Sequence, residues 1–296
     1  MKEVIAIIEI GSNNTKTHVY EREKSVYENT ETIEFKKNYK INKKISGDDL
    51  EKLCTQIKKA FSYTKNVYVF GCSIFRSISE DELNEINDYL YNKFDLKISV
   101  VSQEEEASLT AFGCYSDIGF DGNVCVFIGG GGSTELLIIN NKEIVDKKYF
   151  DFGVVDITSK FSSLKEDIPV CTFDEVYSYI DSLVGDFNVK CDLLILAGGD
   201  HLYWYNNARY DLLKNTLYEN DKQEFMITID MSDKYDRDAY VSSLNRVREN
   251  SDNPLWFDGS RAMKAITNVI SHKIDAKYIV PTRINMEDGL KKRIVG

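Results

Sequence analysis

The sequence predicts an α/β fold in two halves, and three observations carry that prediction. Short β-branched apolar runs alternate with segments of helical spacing. The strand-and-turn pattern begins again near residue 123. Ile8–Thr15 (Ile-Glu-Ile-Gly-Ser-Asn-Asn-Thr) can also be laid without a gap on Phe127–Thr134 (Phe-Ile-Gly-Gly-Gly-Gly-Ser-Thr), which points to duplication. With 296 residues, 43% of them hydrophobic, the chain has material for two domains of ordinary size. The restart divides it into domains 1–121 and 122–296. With three prolines and no low-complexity linker, the boundary reads as a packed hinge.

The elements follow in order. Val4 to Ile10 is a buried strand that ends at Gly11, and after a tight turn Thr17 to Glu21 is its return strand. Asp48 to Tyr63 has helical spacing, with Leu50, Leu53, Ile57 and Phe61 on one face. Val67 to Phe70 is a strand. Ser79 is placed to cap a helix whose first turn holds Glu80, Asp81 and Glu82. Ile98 to Val101 is a strand, followed by a helix from Gln103 to Tyr115. After the turn at 119–123, Val124 to Ile128 is a strand, 129–133 a glycine turn, and Glu135 to Asn140 the return strand, with Glu143 to Phe150 pairing next. Residues 173–187 are predicted helical. Leu193 to Leu196 is a strand running into Ala-Gly-Gly-Asp. Residues 215–254 are polar and acidic, and read as a helical insertion. Ser260 to Lys273 is a helix, Tyr278 to Val280 a strand, and Met286 to Ile294 a last helix.

The formal net charge of −11 argues against nucleic acid and anionic membranes as partners. It also requires any site for an anionic substrate to bring its own donors. The six cysteines form no CxxC and no zinc-finger spacing, as expected of thiols in the cytoplasm. No secretory leader and no apolar run of roughly 20 residues is visible. The three histidines, His18, His201 and His272, match no metal pattern.

The chemistry is concentrated in the turns. A hairpin turn that exposes backbone N–H groups can cradle an anion. Gly130, Gly131 and Gly132 let a phosphate approach the backbone, and Ser133 and Thr134 add hydroxyls. Ser12, Asn13, Asn14 and Thr15 supply the first turn in the same way. Either turn alone reads equally well as an ordinary hairpin. Two of them at matching places in two halves point to an oligophosphate ligand.

Residues 5–15 (IAIIEIGSNNT) and 130–137 (GGGSTELL) resemble the two phosphate loops of the exopolyphosphatase/guanosine pentaphosphate phosphatase (Ppx/GppA) family. GCSIFRSIS (71–79), VVSQEEEASLTAFG (100–113), ILAGGDH (195–201) and NMEDGLKKRIV (285–295) resemble further segments of that family, in order, over essentially the whole chain. The resemblance implies two actin-like (ribonuclease H-like, ASKHA superfamily) domains flanking a cleft, in a short form without the helical C-terminal domains of longer members. It implies Glu106 as general base, Arg76 as a phosphate ligand, and Glu135 as a group holding metal or water. It further implies Mg²⁺ as cofactor, polyphosphate or guanosine penta- or tetraphosphate as partner, and a homodimer.

The chain departs from the family at five of these positions, one of them Gly129, which replaces an apolar residue. Glu9 stands where the family has an aspartate, so its carboxylate is one methylene longer. Ile128 stands where the family has a second aspartate that organises Mg²⁺. Asp200 replaces a threonine, which suggests that it partly takes over from the missing acid beside Glu9 and Glu135. Cys72 stands where a threonine is common. Three readings therefore follow: a Mg²⁺-dependent hydrolase of terminal phosphates, a binder of polyphosphate or alarmone without competent metal chemistry, and an actin-like ATPase or sugar kinase. The chain is short for the last of these and carries no adenosine-pocket signature.

Overall fold

A computed structural model describes residues 4–11, 14–22, 24–186 and 188–295. Of the sequence predictions, Ser12, Asn13 and the end of the 173–187 helix at Phe187 lie outside the described residues. The chain divides into two compact units, 1–106 with 290–296, and 107–289.

The first unit holds β1 (Val4–Ile10), β2 (Asn14–Glu21), β3 (Lys24–Thr32), α1 (Phe35–Asn42), α2 (Gly47–Phe61), β4 (Val67–Gly71), α3 (Glu80–Phe94) and β5 (Ile98–Val100). Its sheet runs β3-β2-β1-β4-β5. β1 is the central strand, antiparallel to β2 and parallel to β4. Ile5 to Ile8 and Ile10 are all buried, as a strand covered on both faces requires. Ser46 and Ser79 cap α2 and α3 by accepting the Asp49 and Glu82 amides. β3 is an edge strand that pairs with β2 along its length. No run of buried apolar residues announces it, because its residues alternate only between exposed and half-buried.

Helix α4 (Gln103–Tyr115) leads into the second unit, which holds β6 (Val124–Gly129), β7 (Thr134–Asn140), β8 (Glu143–Phe150), α5 (Val154–Lys160), α6 (Phe173–Val184), β9 (Leu193–Leu196), α7 (Asp200–Ala208), β10 (Leu213–Lys214), β11 (Phe225–Thr228), α8 (Ile229–Val241), α9 (Leu244–Arg248), α10 (Ser260–Lys273) and β12 (Tyr278–Pro281). Helix α11 (Met286–Val295) closes the chain's described part. The sheet runs β10-β11-β12-β9-β6-β7-β8. One core packs α6, α8 and α10 on the sheet, and a second packs α4 on its other face. The segment 215–254 resolves into β11, α8 and α9, with β11 antiparallel to β12.

The units divide at 106/107, whereas the strand pattern restarts at 122. The reason is α4. Ala107, Ala111, Cys114 and Tyr115 bury themselves against Val124, Val126, Leu137 and Ile195, so most of this helix belongs to the second sheet's core. The last turns of α11 return to the first unit. Among the described residues no helix is long and apolar enough to cross a membrane.

Candidate functional site

The two hairpins flanking the glycine turns pair their strands in the same register. In the first unit Ile8, Glu9 and Ile10 lie opposite Thr17, Lys16 and Thr15. In the second, Phe127, Ile128 and Gly129 lie opposite Leu136, Glu135 and Thr134. The Gly11 amide donates to the Asn14 carbonyl at 2.9 Å, and the Gly130 amide to the Ser133 carbonyl at 2.9 Å. The gapless alignment therefore holds for the described strand residues on both sides of the turns. Position 128 is directly across from Glu135, just as Glu9 is directly across from Lys16. The second unit has its acid on the return strand, and the first has a lysine there.

Within the second turn the roles separate. The Gly130 amide closes the hairpin and its carbonyl accepts from Val154 at 3.0 Å, while the Gly131 carbonyl accepts from Val155 at 2.7 Å. Thr134 is fully buried and donates its hydroxyl to the Phe152 carbonyl at 3.0 Å. These contacts correct the sequence reading. The Gly130 amide and the Thr134 hydroxyl brace the turn and are already committed to protein acceptors. Gly131 and Gly132 are exposed, and among the described residues their amides donate to no protein acceptor. They are the anion donors the turn has to offer. Ser133 donates to Glu135 at 2.8 Å, which orients a carboxylate that is 5% exposed.

Gly153, which the sequence reading passed over, sets the position of this turn. A Cβ on Gly153 would stand 2.4 Å from the Gly130 carbonyl oxygen and 2.6 Å from the Gly131 carbonyl carbon. Its own amide is held by the Asp156 carboxylate at 2.9 Å, so it cannot simply move away. Gly153→Ala is expected to displace the turn and to lower any phosphate-dependent activity by about 10²-fold, since a shift near 1 Å in a positioning group costs that much. A rate above one tenth of the parent's, measured with the phosphate-release assay below, would show that the turn tolerates displacement.

In the first unit, Cys72 follows β4 and donates its amide to the Ile10 carbonyl at 2.9 Å, which ties it to the end of β1. Arg76 closes the short 3-10 turn Ser73–Arg76. Helix α3 starts four residues later, at Glu80. Arg76 Nη1 donates to the Val101 carbonyl at 2.9 Å and to Glu106 Oε2 at 2.7 Å. Glu106 lies in the first turn of α4, beginning where Ser102 accepts the Glu105 amide through its hydroxyl at 3.1 Å and the Glu106 amide through its carbonyl at 2.9 Å. Glu105 is turned to Arg293 at 3.0 Å. Burial pushes the Cys72 thiol well above its usual range, and the charges of Glu106 and Glu9 push it further. The first unit thus gathers Glu9, Cys72, Arg76 and Glu106 in one neighbourhood.

The third glycine turn does other work. Gly198 and Gly199 both have φ near +92°, where a side chain would be strained. Their amides are committed to the Ile284 and Thr282 carbonyls at 2.9 and 2.8 Å. Asp200 opens α7 and accepts from the Trp256 indole at 3.1 Å. His201 is buried, its Nε2 is 3.0 Å from the Thr267 hydroxyl, and burial holds its pKa well below the usual histidine range. Among the described residues no group of three or more His, Cys, Asp or Glu side chains is gathered as a metal cage. The donor set does fit magnesium, which takes one or two carboxylates and completes its shell with water and phosphate oxygens. The Ser133–Glu135 pair beside the exposed Gly131 and Gly132 amides is a donor set of that type.

Taken together, the two sheets and their duplicated turns are those of an actin-like α/β protein. Residues 16–185 match the Ppx/GppA phosphatase family, and the chain belongs to that family. The type II variant of the Aquifex aeolicus Ppx/GppA phosphatase is 15% identical and shares the fold over 99% of this chain and 98% of that one, with a TM-score of 0.80. An exopolyphosphatase from Cytophaga hutchinsonii is 15% identical over 99% of this chain and 98% of that one, with a TM-score of 0.71. A bifunctional 3-dehydroquinate synthase/phosphatase from Fusobacterium nucleatum is 31% identical over 53% of this chain, which spans 26% of that protein. Family and fold support a function of the phosphatase type.

Proposed function

We propose that the chain hydrolyses the terminal phosphoanhydride of inorganic polyphosphate or of guanosine pentaphosphate, releasing inorganic phosphate. The Arg76–Glu106 ion pair carries this reading. A guanidinium fork binds phosphate oxygens better than a single carboxylate oxygen. An arriving phosphate therefore competes for Arg76 and frees the Glu106 carboxylate to accept a proton. Glu106 takes that proton from a water, the water oxygen bonds to the terminal phosphorus, and the bridging P–O bond breaks. The products are inorganic phosphate and a shortened chain or a tetraphosphate. In the second unit, the Gly131 and Gly132 amides are the donors proposed to bind phosphate oxygens. Mg²⁺, when bound, would supply charge neutralisation, with Glu135 as the first candidate ligand and Glu9 and Asp200 as further ones. The relatives named as phosphatases and exopolyphosphatases support the same chemistry. A cytoplasmic location and a homodimer belong to this reading.

The direct test is phosphate release from long-chain polyphosphate and from guanosine pentaphosphate with Mg²⁺, in the parent and in Glu106→Gln. Failure of the parent on both substrates would sink the reading. Ile128 favours a second reading, a binder of the same ligands without turnover. Ile128→Asp would place two carboxylates on one cross-strand pair with Glu135, with Cβ atoms about 5 Å apart. Such a pair repels without a cation and chelates with one. The expected result is a Mg²⁺-dependent rise in both phosphate release and thermal midpoint. No gain in either would mean that the acid at 128 is dispensable here.

A further inference from the structure

The parallel strands of the second sheet end level with one another. Phe127 of β6 lies opposite Leu196 of β9, and Leu196 lies opposite Pro281 of β12. The pairing runs one residue further, through the Ala197 amide to the Phe127 carbonyl at 3.0 Å and the Thr282 amide to the Leu196 carbonyl at 2.9 Å. The second glycine turn, the Gly198–Gly199 turn and Arg283 therefore all leave the sheet at its carboxyl edge, where open α/β sheets take their ligands. β6 and β12 are two strand spacings apart, about 10 Å. Arg283 is anchored at this edge, because the Gly198 and Gly199 amides bond the carbonyls on either side of it, those of Ile284 and Thr282. A Cβ on Gly199 would stand 3.7 Å from Arg283 Cγ, so the stem of the side chain lies over the third glycine turn. The side chain is exposed, and among the described residues it makes no hydrogen bond and no ion pair. Asp200, the acid that follows Gly199, accepts instead from the Trp256 indole. The fold gives no use for a guanidinium fixed at a ligand-binding edge and left unpaired in a chain with 48 acidic residues.

We propose that Arg283 is a further phosphate ligand. It holds a phosphate group farther along the substrate than the one at Gly131 and Gly132, so that the second unit grips an oligophosphate at two points. The guanidinium fork takes two phosphate oxygens at once. Its stem and a run of linked phosphates together span the gap from β12 to the second glycine turn. Orthophosphate reaches the turn alone, whereas tripolyphosphate reaches both points. Arg283 has this role only if Gly131 and Gly132 anchor a phosphate, as proposed above, but it has it whether or not that phosphate is then hydrolysed.

Calorimetric titration with sodium tripolyphosphate in EDTA, where no Mg²⁺ supports turnover, measures this grip, and ³¹P line broadening follows orthophosphate. Arg283→Gln should weaken tripolyphosphate binding about tenfold, the worth of one charged hydrogen bond, and leave orthophosphate unchanged. Lys142→Gln is the control. Lys142 follows β7, at the opposite end of that strand from the glycine turn, and its loss removes the same charge. It should change neither affinity. Arg283→Lys keeps the charge without the fork and should fall between the parent and the glutamine variant. It carries the comparison if Arg283→Gln lowers the thermal midpoint. Equal tripolyphosphate affinity in the parent and Arg283→Gln, an equal loss in Lys142→Gln, an equal loss for orthophosphate, or no binding by the parent would overturn the proposal. The expected binding pattern with no phosphate release once Mg²⁺ is added would instead sink the hydrolase reading and leave Arg283 as a phosphate ligand.

Discussion

Glu106→Gln is expected to lower phosphate release from the preferred substrate by 10²- to 10⁴-fold, the range a positioned general base contributes. The change is nearly isosteric, and the amide oxygen can still accept from Arg76, so the 2.7 Å contact and the start of α4 are preserved. What is lost is a proton acceptor. The two side chains are 28% and 37% exposed, so their ion pair is worth at most about 1 kcal/mol to folding. The thermal midpoint should therefore stay within a few degrees while the rate collapses. Substrate affinity should hold or improve, because Gln releases Arg76 to phosphate more readily than Glu does. Arg76→Gln should do the opposite, raising KM as well as lowering kcat, since it removes the phosphate ligand itself. If Glu106→Gln kept more than one tenth of the parent rate with an intact fold, another base would have to be found, and the ion pair would be no more than a brace for α4.

Much of this arrangement was legible in the chain, for a definite reason. Matching 8–15 to 127–134 implied that the two hairpins are equivalent, and their strands do pair in equivalent registers. The helix cap at Ser79 and the glycines at 198 and 199 could be read the same way, because a local backbone need selects the residue type. What could not be read was the spending of donors over long separations. Thr134 looks like a phosphate ligand until the Phe152 carbonyl, 18 residues on, takes its hydroxyl. Asp200 reads as an acid beside a glycine turn, and nothing local announces that the Trp256 indole, 56 residues on, donates to one of its oxygens. Gly153 looks like any loop glycine until the carbonyls of 130 and 131 press on it. β3 escaped because an edge strand with two partly wet faces needs no apolar run.

Arg261 is the sharpest instance, and it leads to the largest expected effect on stability. Arg261→Leu should cost about 3–5 kcal/mol, because several buried carbonyls lose their donor at about 1–3 kcal/mol each. The residue is fully buried near the start of α10. Its Nε donates to the Ala239 carbonyl at 2.7 Å, Nη1 to Leu164 and Glu166 at 3.1 and 2.6 Å, and Nη2 to Asp167 and Ser242 at 2.7 and 2.8 Å. Five carbonyls from two separate segments, 164–167 and 239–242, therefore converge on one planar group. Leucine matches the stem but leaves all five oxygens without a donor, and buried carbonyls cannot turn to water for one. Lysine keeps the charge but has three donors on a single nitrogen, so Arg261→Lys should recover only part of the loss. Both segments cover α10, and the end of α8 lies in one of them, so the first regions to open should be 161–168 and 239–244. Hydrogen exchange on Arg261→Lys tests this. Faster exchange confined to those two segments is the expected pattern. Uniform protection across the second unit, or a midpoint within a degree or two of the parent's in Arg261→Leu, would mean that the carbonyls find other donors and that the clamp is dispensable.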